Sequence, residues 1–110
     1  MSFPLMLYEL ASNAKYTWIR WHLSADPGKP GMIVELSDWD SFIDTACLPE
    51  FGFRFSKRES AAKNLKEYSF ETQADGRRRP LEGEGACWSG HCHSSFQPGS
   101  RELIRTMRRR

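Results

Sequence analysis

The sequence predicts an α+β fold, a small mixed sheet with two short helices, followed by a flexible basic C-terminal tail. Three observations predict it. Residues 15–23 alternate as a strand does, residues 38–47 carry a helical apolar stripe, and the later composition turns to glycine, proline, serine and arginine. We therefore expect a domain in residues 1–75 and a basic tail in residues 76–110 that can end in a short helix.

The alternating segment is predicted to open a hairpin. Ile19 and Trp21 fall on one face of its strand, and the residues between them fall on the other. Residues 25–31 are dense in proline and glycine, and Met32 to Leu36 resumes as a second short apolar strand. Two antiparallel strands joined by this turn are the simplest arrangement.

The next segment has the clearest helical pattern in the chain. Ser37 suits the N-cap, and Asp38 and Asp40 follow it, where the helix dipole favours negative charge. The apolar stripe has the spacing i, i+3, i+4 and i+7 and consists of Trp39, Phe42, Ile43 and Ala46. Pro49 is expected to end this helix shortly after Cys47.

Beyond that helix the pattern predicts a strand, a helix and a last strand. Phe51, Phe53 and Phe55 alternate with small or polar residues, which indicates a strand with three phenyl rings on one face. Ser60 to Lys66 is rich in alanine and lysine, as short helices are, and Tyr68 to Thr72 forms the last strand. The predicted order is therefore β, β, α, β, α, β.

Charge is unevenly distributed along the chain. The formal net charge is +2, but residues 1–75 hold 8 basic and 11 acidic residues, whereas residues 76–110 hold 8 and 3. An acidic domain is a poor electrostatic match for a phosphate backbone, while a basic tail can supply phosphate contacts. Binding of nucleic acid must therefore use the tail or one local face of the domain.

One face of the first predicted strand combines aromatic rings with a guanidinium, the combination on which unpaired bases stack. It consists of Tyr16, Trp18, Arg20 and His22. The tail adds candidate backbone contacts from Arg77, Arg78 and Arg79. These residues predict a small accessory protein that binds single-stranded nucleic acid, with RNA favoured. The competing interpretation is that a helix covers this face and that Trp18 belongs to the core.

Two short segments resemble families that bind single-stranded nucleic acid. Residues 51–63, an aromatic alternation followed by an alanine- and lysine-rich stretch, resemble the third strand and second helix of the RNA-recognition motif. Pro49 and Glu50 stand where that motif has a basic residue and a glycine. Residues 19–39 are similar to the single-strand-binding transcriptional coactivator family, although Trp39 stands at a different offset from Leu36. Each resemblance covers well under half of the chain, and we assign the chain to neither family.

Four side chains that can bind a metal lie within one seven-residue segment of the predicted tail. They are Cys87, His91, Cys92 and His93. Zinc takes four such ligands in a tetrahedron, but this spacing is not a recurrent one and adjacent ligands converge poorly on one ion, so the alternative is no metal. A cysteine and histidine pair acting as a catalytic nucleophile and base needs a rigid surround that this segment does not predict. We therefore expect no enzyme activity and no cofactor.

The rival interpretation is a protein–protein interaction module or inhibitor, in one version a homodimer, that uses the same aromatic residues and has no nucleic-acid role. No segment approaches the length that spans a membrane, so we expect no membrane partner. Three cysteines cannot all pair within one chain, which favours a reducing, intracellular compartment, either cytoplasmic or nuclear.

Overall fold

The structure, a computed structural model, describes residues 2–23, 32–73 and 89–109. The elements in chain order are α1 (Phe3–Ala11), β1 (Ile19–Leu23), β2 (Met32–Leu36), α2 (Trp39–Ala46), α3 (Arg58–Glu67), β3 (Glu71–Gln73), β4 (Ser89–Cys92) and α4 (Arg101–Arg105). The predicted α+β class is confirmed. Among the described residues, no helix has the length and apolar character that crossing a bilayer requires.

The four strands form one sheet in the order β1-β2-β4-β3, and every neighbouring pair is antiparallel. The strands β2 and β3 run in the same direction, but they do not pair, because β4 lies between them and is antiparallel to both. The sheet is therefore antiparallel throughout rather than mixed as predicted. One row across the sheet holds Trp21, Val34, His91 and Thr72. The next row holds Arg20, Glu35 and Gly90, which therefore point to the other face.

Helix α1 is an element that the sequence analysis did not predict. Ser2 caps it by accepting a hydrogen bond from the Leu5 N–H at 3.3 Å, and Pro4 stands in the first turn, where its missing donor costs nothing. Its buried stripe consists of Phe3, Met6, Leu7 and Leu10. The stripe has the same i, i+3, i+4, i+7 spacing that predicted α2, so the signal was present in the sequence.

Helix α2 confirms the predicted helix, with its N-cap one residue later than expected. Asp38, not Ser37, is the cap: its carboxylate accepts the Ser41 N–H at 3.0 Å and the Ser41 hydroxyl at 2.7 Å. These bonds hold the pKa of Asp38 below its ordinary value. Phe42 is fully buried and turns the helix toward the core.

The strand predicted from Phe51 to Phe55 does not form. Residues 52–55 form neither helix nor strand and belong to no sheet of the described chain, and two of their rings pack on α1 instead. Phe53 and Phe55 stack on each other at 5.9 Å, and each meets the edge of Phe3 at 6.0 Å. The Phe55 N–H donates to Cys47 Sγ at 3.5 Å, which closes the segment against the end of α2. The alternation therefore belongs to an irregular connection between two helices.

Helix α3 is longer than the predicted 60–66, and its end explains why the last strand begins later than predicted. Ser69 adopts a left-handed φ of 67°. The Phe70 N–H donates to the Leu65 carbonyl at 2.9 Å and the Ser69 N–H to the Lys66 carbonyl at 2.9 Å, which is a Schellman termination. Buried Leu65 and Phe70 supply its apolar contact, and β3 starts only after this turn.

Residues 89–109 are folded onto the rest of the described chain, which corrects the flexible tail predicted for this part of residues 76–110; residues 76–88 lie outside the described residues. β4 lies inside the sheet, bonded to β2 on one side and β3 on the other. Phe96 and Ile104 are each 1% exposed, and Met107 is 8% exposed. α4 packs on α1, where Arg101 pairs with Glu9 and lies over the Tyr8 ring. The short terminal helix was predicted, but it docks on the core.

Candidate nucleic-acid interface

The four residues of the predicted stacking face do not form one open platform. Tyr16 and Trp18 precede β1, in the turn that leads into it, and their rings contact each other at 5.5 Å. The Trp18 ring also meets the edge of Phe42 at 6.2 Å, so α2 covers it in part. Trp18 is half-buried. Its burial is intermediate between the two alternatives that the sequence left open, an exposed stacking residue and a core residue.

Arg20 and His22 lie on β1 and turn toward a buried carboxylate. The Arg20 Nε–H donates to Glu35 Oε1 at 3.0 Å, and His22 Nδ1 lies 3.9 Å from the same oxygen. The Glu35 side chain is completely buried, whereas 28% of the Arg20 side chain is exposed. The guanidinium is thus used inside the protein, because a buried carboxylate needs a partner of opposite charge. Arg77, Arg78 and Arg79 lie outside the described residues.

The predicted metal ligands are not brought together where the structure describes them. His91 lies in the buried row of the sheet, with Nε2 3.1 Å from Ser89 Oγ and Nδ1 3.5 Å from Thr72 Oγ1. Burial, assisted by the charge of Arg58, lowers the pKa of His91 to about 4. The described residues contain no group of three or more His, Cys, Asp or Glu side chains placed to hold a metal ion.

The neighbours of His91 are separated from it by the alternation of the strand. Cys92 points to the opposite face of β4. His93 follows the strand, where its Nδ1 accepts the Ser95 N–H at 3.0 Å and its ring lies 5.6 Å from Phe70. Burial also lowers the pKa of His93. Cys87, the fourth candidate ligand, lies outside the described residues.

A group of exposed basic residues lies in and just before α3. Residues 54–66 contain five of the eight basic residues of the first 75 and one acidic residue. The five are Arg54, Lys57, Arg58, Lys63 and Lys66, and all are exposed. This patch is hidden when charge is averaged over the first 75 residues, whereas a window of the length of one helix reveals it.

Helix α3 presents one face to the core and another to solvent. Ala61 and Leu65 are buried, and the opposite face has the helical spacing i, i+3, i+4, i+7. That outward face consists of Glu59, Ala62, Lys63 and Lys66. Lys63 stands at its centre, directly away from the core.

The start of α3 is fixed against α2 by a cation–π contact. The Arg58 guanidinium lies 5.0 Å from the centroid of the Trp39 ring, and Trp39 in turn meets the edges of Phe42 and His91. Such a contact contributes about 0.5 to 1 kcal/mol at an exposed site. It joins the first turns of the two helices beside buried His91 of the sheet.

The end of α3 is fixed by the C-terminal arm, residues 106–109. Arg109 Nη2 donates to Asn64 Oδ1 at 2.9 Å, and Arg109 Nε lies 3.5 Å from Glu67 Oε1. The same guanidinium is 6.0 Å from the centroid of the Tyr68 ring. An arginine therefore makes a contact at each end of the basic helix: Arg58, from its own first turn, at the start, and Arg109, from the C-terminal arm, at the end.

No family model matches the chain, and no curated protein matches it. A solved structure does: the crystal structure of Chaetomium thermophilum Skn7 with SSRE DNA is similar over 100% of both chains, with a TM-score of 0.65 and 22% sequence identity. The two chains share a fold. At this level of identity the likeness extends to the arrangement of helices and strands and to nothing finer.

Proposed function

We propose that this protein is a DNA-binding domain that inserts α3 into the major groove of duplex DNA. The observation that supports it best is the placement of the basic patch. The five exposed basic residues of 54–66 surround a helix whose outward face is open, on a fold shared with a protein whose crystal structure contains DNA. A major groove about 12 Å wide admits one α-helix.

The arrangement of α2 and α3 supports this proposal independently of charge. In helix-turn-helix proteins the second helix enters the major groove, while the first crosses the backbone and steadies it. Here α3 follows α2, is tied to it through Arg58 and Trp39, and keeps its outward face clear of the sheet. The connection of residues 47–57 is longer than the usual turn of that motif.

Roles for the residues follow from their positions on α3. Lys63, at the centre of the outward face, is placed to reach base edges or phosphates deep in the groove. Ala62 offers a methyl group suited to contact with a thymine methyl. Arg54 and Lys57, before the helix, are placed for phosphates on the flanking backbone, where they contribute affinity rather than specificity.

Duplex DNA is favoured over the single-stranded RNA predicted from the sequence. A stacking platform needs exposed rings beside an available cation, whereas Trp18 is partly covered by α2 and Arg20 is bonded to buried Glu35. The exposed positive charge lies on a helix, which suits a groove better than unpaired bases. Single-strand and RNA binding remain a prediction that the same experiment tests.

The test is fluorescence anisotropy with labelled duplex DNA of about 20 base pairs, two helical turns, beside each single strand and the matching RNA. We expect the duplex to bind most tightly and its affinity to fall steeply between about 50 and 200 mM salt, because phosphate contacts release counterions. The Lys63→Glu variant should lose about tenfold or more in duplex affinity. Its matched control is Lys15→Glu, the same charge change at an exposed lysine outside the patch.

Three outcomes contradict the proposal. One is that single strands bind more tightly than the duplex and that Trp18→Ala abolishes this binding, which would place the site on the predicted stacking face. Another is an equal loss of duplex affinity in Lys63→Glu and Lys15→Glu, which would mean that binding depends only on net charge. The third is no binding to any nucleic acid, which leaves the protein-interaction interpretation.

A further inference from the structure

Asn64 is a base-reading residue type on the flank of the proposed reading helix, and both ends of its amide are already engaged. Its Nδ2 donates to the Ser60 carbonyl at 3.3 Å, and its Oδ1 accepts from Arg109 Nη2 at 2.9 Å. An asparagine that reads adenine needs both groups, one to donate to N7 and one to accept from N6. In this arrangement each group of Asn64 already has a partner within the protein.

Arg109 engages a second residue on the same flank. Glu67 lies one helical turn beyond Asn64, and its Oε1 is 3.5 Å from Arg109 Nε. A carboxylate at the edge of a helix in the groove would repel the phosphate backbone, and the guanidinium beside it offsets that charge. Arg109 therefore engages a side chain that could otherwise contact bases, and it offsets an unfavourable negative charge on the same side of α3.

The position of Arg109 is set by the docking of α4. Ile104 and Met107 are buried and carry the chain back toward α3. The Arg108 side chain donates to the carbonyls of Arg105 and Met107 at 3.0 and 3.2 Å, which closes the end of the helix. The exposed ion pair of Arg109 with Glu67 adds little to stability. Its geometric effect on Asn64 and Glu67 is the larger consequence.

We propose that Arg109 is a specificity-determining residue: it holds Asn64 and Glu67 on the flank of α3 and so confines base reading to the face around Lys63. The proposal rests on the DNA-binding function proposed above. It assigns to Arg109 a role different from that of a simple phosphate contact. Loss of a phosphate contact weakens binding uniformly across sequences and lowers the salt slope by about 1. Loss of a restraint on a reading residue changes which base pairs are preferred.

The experiment measures sequence preference with the full chain. The probe is a preferred duplex selected by the wild-type protein from a random pool, together with a panel in which each base pair is replaced in turn. The proteins are wild type, Asn64→Ala, Arg109→Ala and the double variant. We expect Asn64→Ala to keep every base-pair penalty close to wild type, because Asn64 does not read DNA while Arg109 holds it.

Arg109→Ala should change the penalty at one or more base pairs by about fivefold or more, because the released Asn64 amide can then form hydrogen bonds with a base edge. The double variant should restore the wild-type pattern, since the released amide is then gone. Two results would overturn the proposal: a changed preference in Asn64→Ala alone, or a uniform loss in Arg109→Ala with a lower salt slope.

Two further variants separate restraint from charge. Glu67→Gln keeps the hydrogen bond of Arg109 to Asn64 but removes the carboxylate, so it should shift no base-pair preference and should raise duplex affinity uniformly. A shifted preference in Glu67→Gln contradicts the proposal even if Arg109→Ala folds poorly. Arg105→Ala removes an exposed arginine from the same end of the chain and should shift no preference. If the wild type selects no duplex, the DNA-binding proposal fails and this inference fails with it; a selected duplex with uniform losses overturns the inference alone.

Discussion

Arg20 and Lys63 are both basic residues of an acidic segment, but the fold uses their charges differently. Arg20 donates to Glu35, whose side chain is completely buried, whereas the Lys63 side chain extends from the centre of an exposed helix face. A buried carboxylate that loses a cationic partner is left with an uncompensated desolvation cost. Replacing an exposed lysine leaves no buried charge without a partner.

Arg20→Ala is therefore expected to lower the free energy of unfolding by about 2 kcal/mol, whereas Lys63→Glu should leave it within about 0.5 kcal/mol. Duplex affinity should show the reverse order. Urea denaturation followed by tryptophan fluorescence measures the first, and anisotropy at fixed salt measures the second. If both variants weakened binding while leaving stability unchanged, Arg20 would belong to the binding surface.

His91 gives the domain a dependence of stability on pH. Its pKa is lowered to about 4 because burial disfavours the charged ring, whereas in the unfolded chain it titrates near 6.5. The unfolded state therefore binds a proton that the folded state excludes. Stability from this group is complete above pH 6.5 and is lost as the pH falls toward 4, approaching about 3 kcal/mol at the acid limit.

The measurement is the free energy of unfolding of wild type and His91→Gln between pH 7.5 and 4. Carboxylates titrate in both proteins, so the difference between the two curves isolates the imidazole. We expect that difference to change steadily below pH 6.5. In NMR spectra the His91 ring should stay neutral until about pH 4. A ring that titrates near 6.5 would show that it is not buried as described.

The exposure and the partners of a residue were harder to predict from the sequence than the segment in which it lies. Tyr16, Trp18, Arg20 and His22 were correctly placed close together in the chain, but which were exposed depended on α2 and on Glu35. Those partners are distant in sequence, and alternation alone cannot choose them. The pairing of Arg109 with Asn64 spans 45 positions and has no local signal in either segment.

At the scale of elements, α4 is a helix that exists because it is packed. It spans five residues, too few to be stable alone, and its N-cap residue makes no side-chain cap bond. Ile104 is 1% exposed, whereas its neighbour Leu103 is 53% exposed. The two residues differ in burial and are otherwise similar in size and apolar character, which makes them a matched pair.

Ile104→Ala should lower the free energy of unfolding by about 2 to 4 kcal/mol, because it leaves a cavity in the core. Leu103→Ala should change it by no more than about 0.5 kcal/mol. Chemical denaturation of the two variants beside wild type checks both values. Equal effects would mean that α4 does not dock on α1 through Ile104.

The elements that were predicted well are those whose signals are local. The stripe and acidic first turn of α2, and the alanine and lysine content of α3, act within one helix. The segment of residues 51–55 was mispredicted because alternating aromatics suit any extended chain, and strand formation also needs a partner with free backbone groups. α1 was missed although its cap and stripe are as clear as those of α2.

At the scale of the whole molecule, the domain requires its C-terminal third. A chain that ends at residue 75 lacks β4, which bonds both β2 and β3, and lacks buried Phe96, Ile104 and Met107. We expect such a chain to lose near-ultraviolet circular dichroism and cooperative thermal unfolding, both of which the full chain should show. Cooperative unfolding of the shortened chain would restore the boundary predicted from composition.

The folding of residues 89–109 was not predicted because composition describes local preference and not pairing. β4 has the sequence Ser-Gly-His-Cys, which carries little strand propensity, and it follows a stretch rich in glycine and arginine. Its conformation is stabilised by two neighbouring strands rather than by its own residues. Such a strand is visible only when its partners are known.

The place of β4 in the sheet also bears on how the protein is made. During translation β1, β2 and β3 are synthesised before β4, the strand that joins β2 to β3. At about 5 to 20 residues per second, the ribosome takes about 1 to 4 s to travel from residue 73 to residue 92. The facing edges of β2 and β3 have no strand between them during that interval, so the sheet cannot grow vectorially from its N-terminal strand. The sheet is completed only when β4 has been synthesised and has paired with β2 and β3.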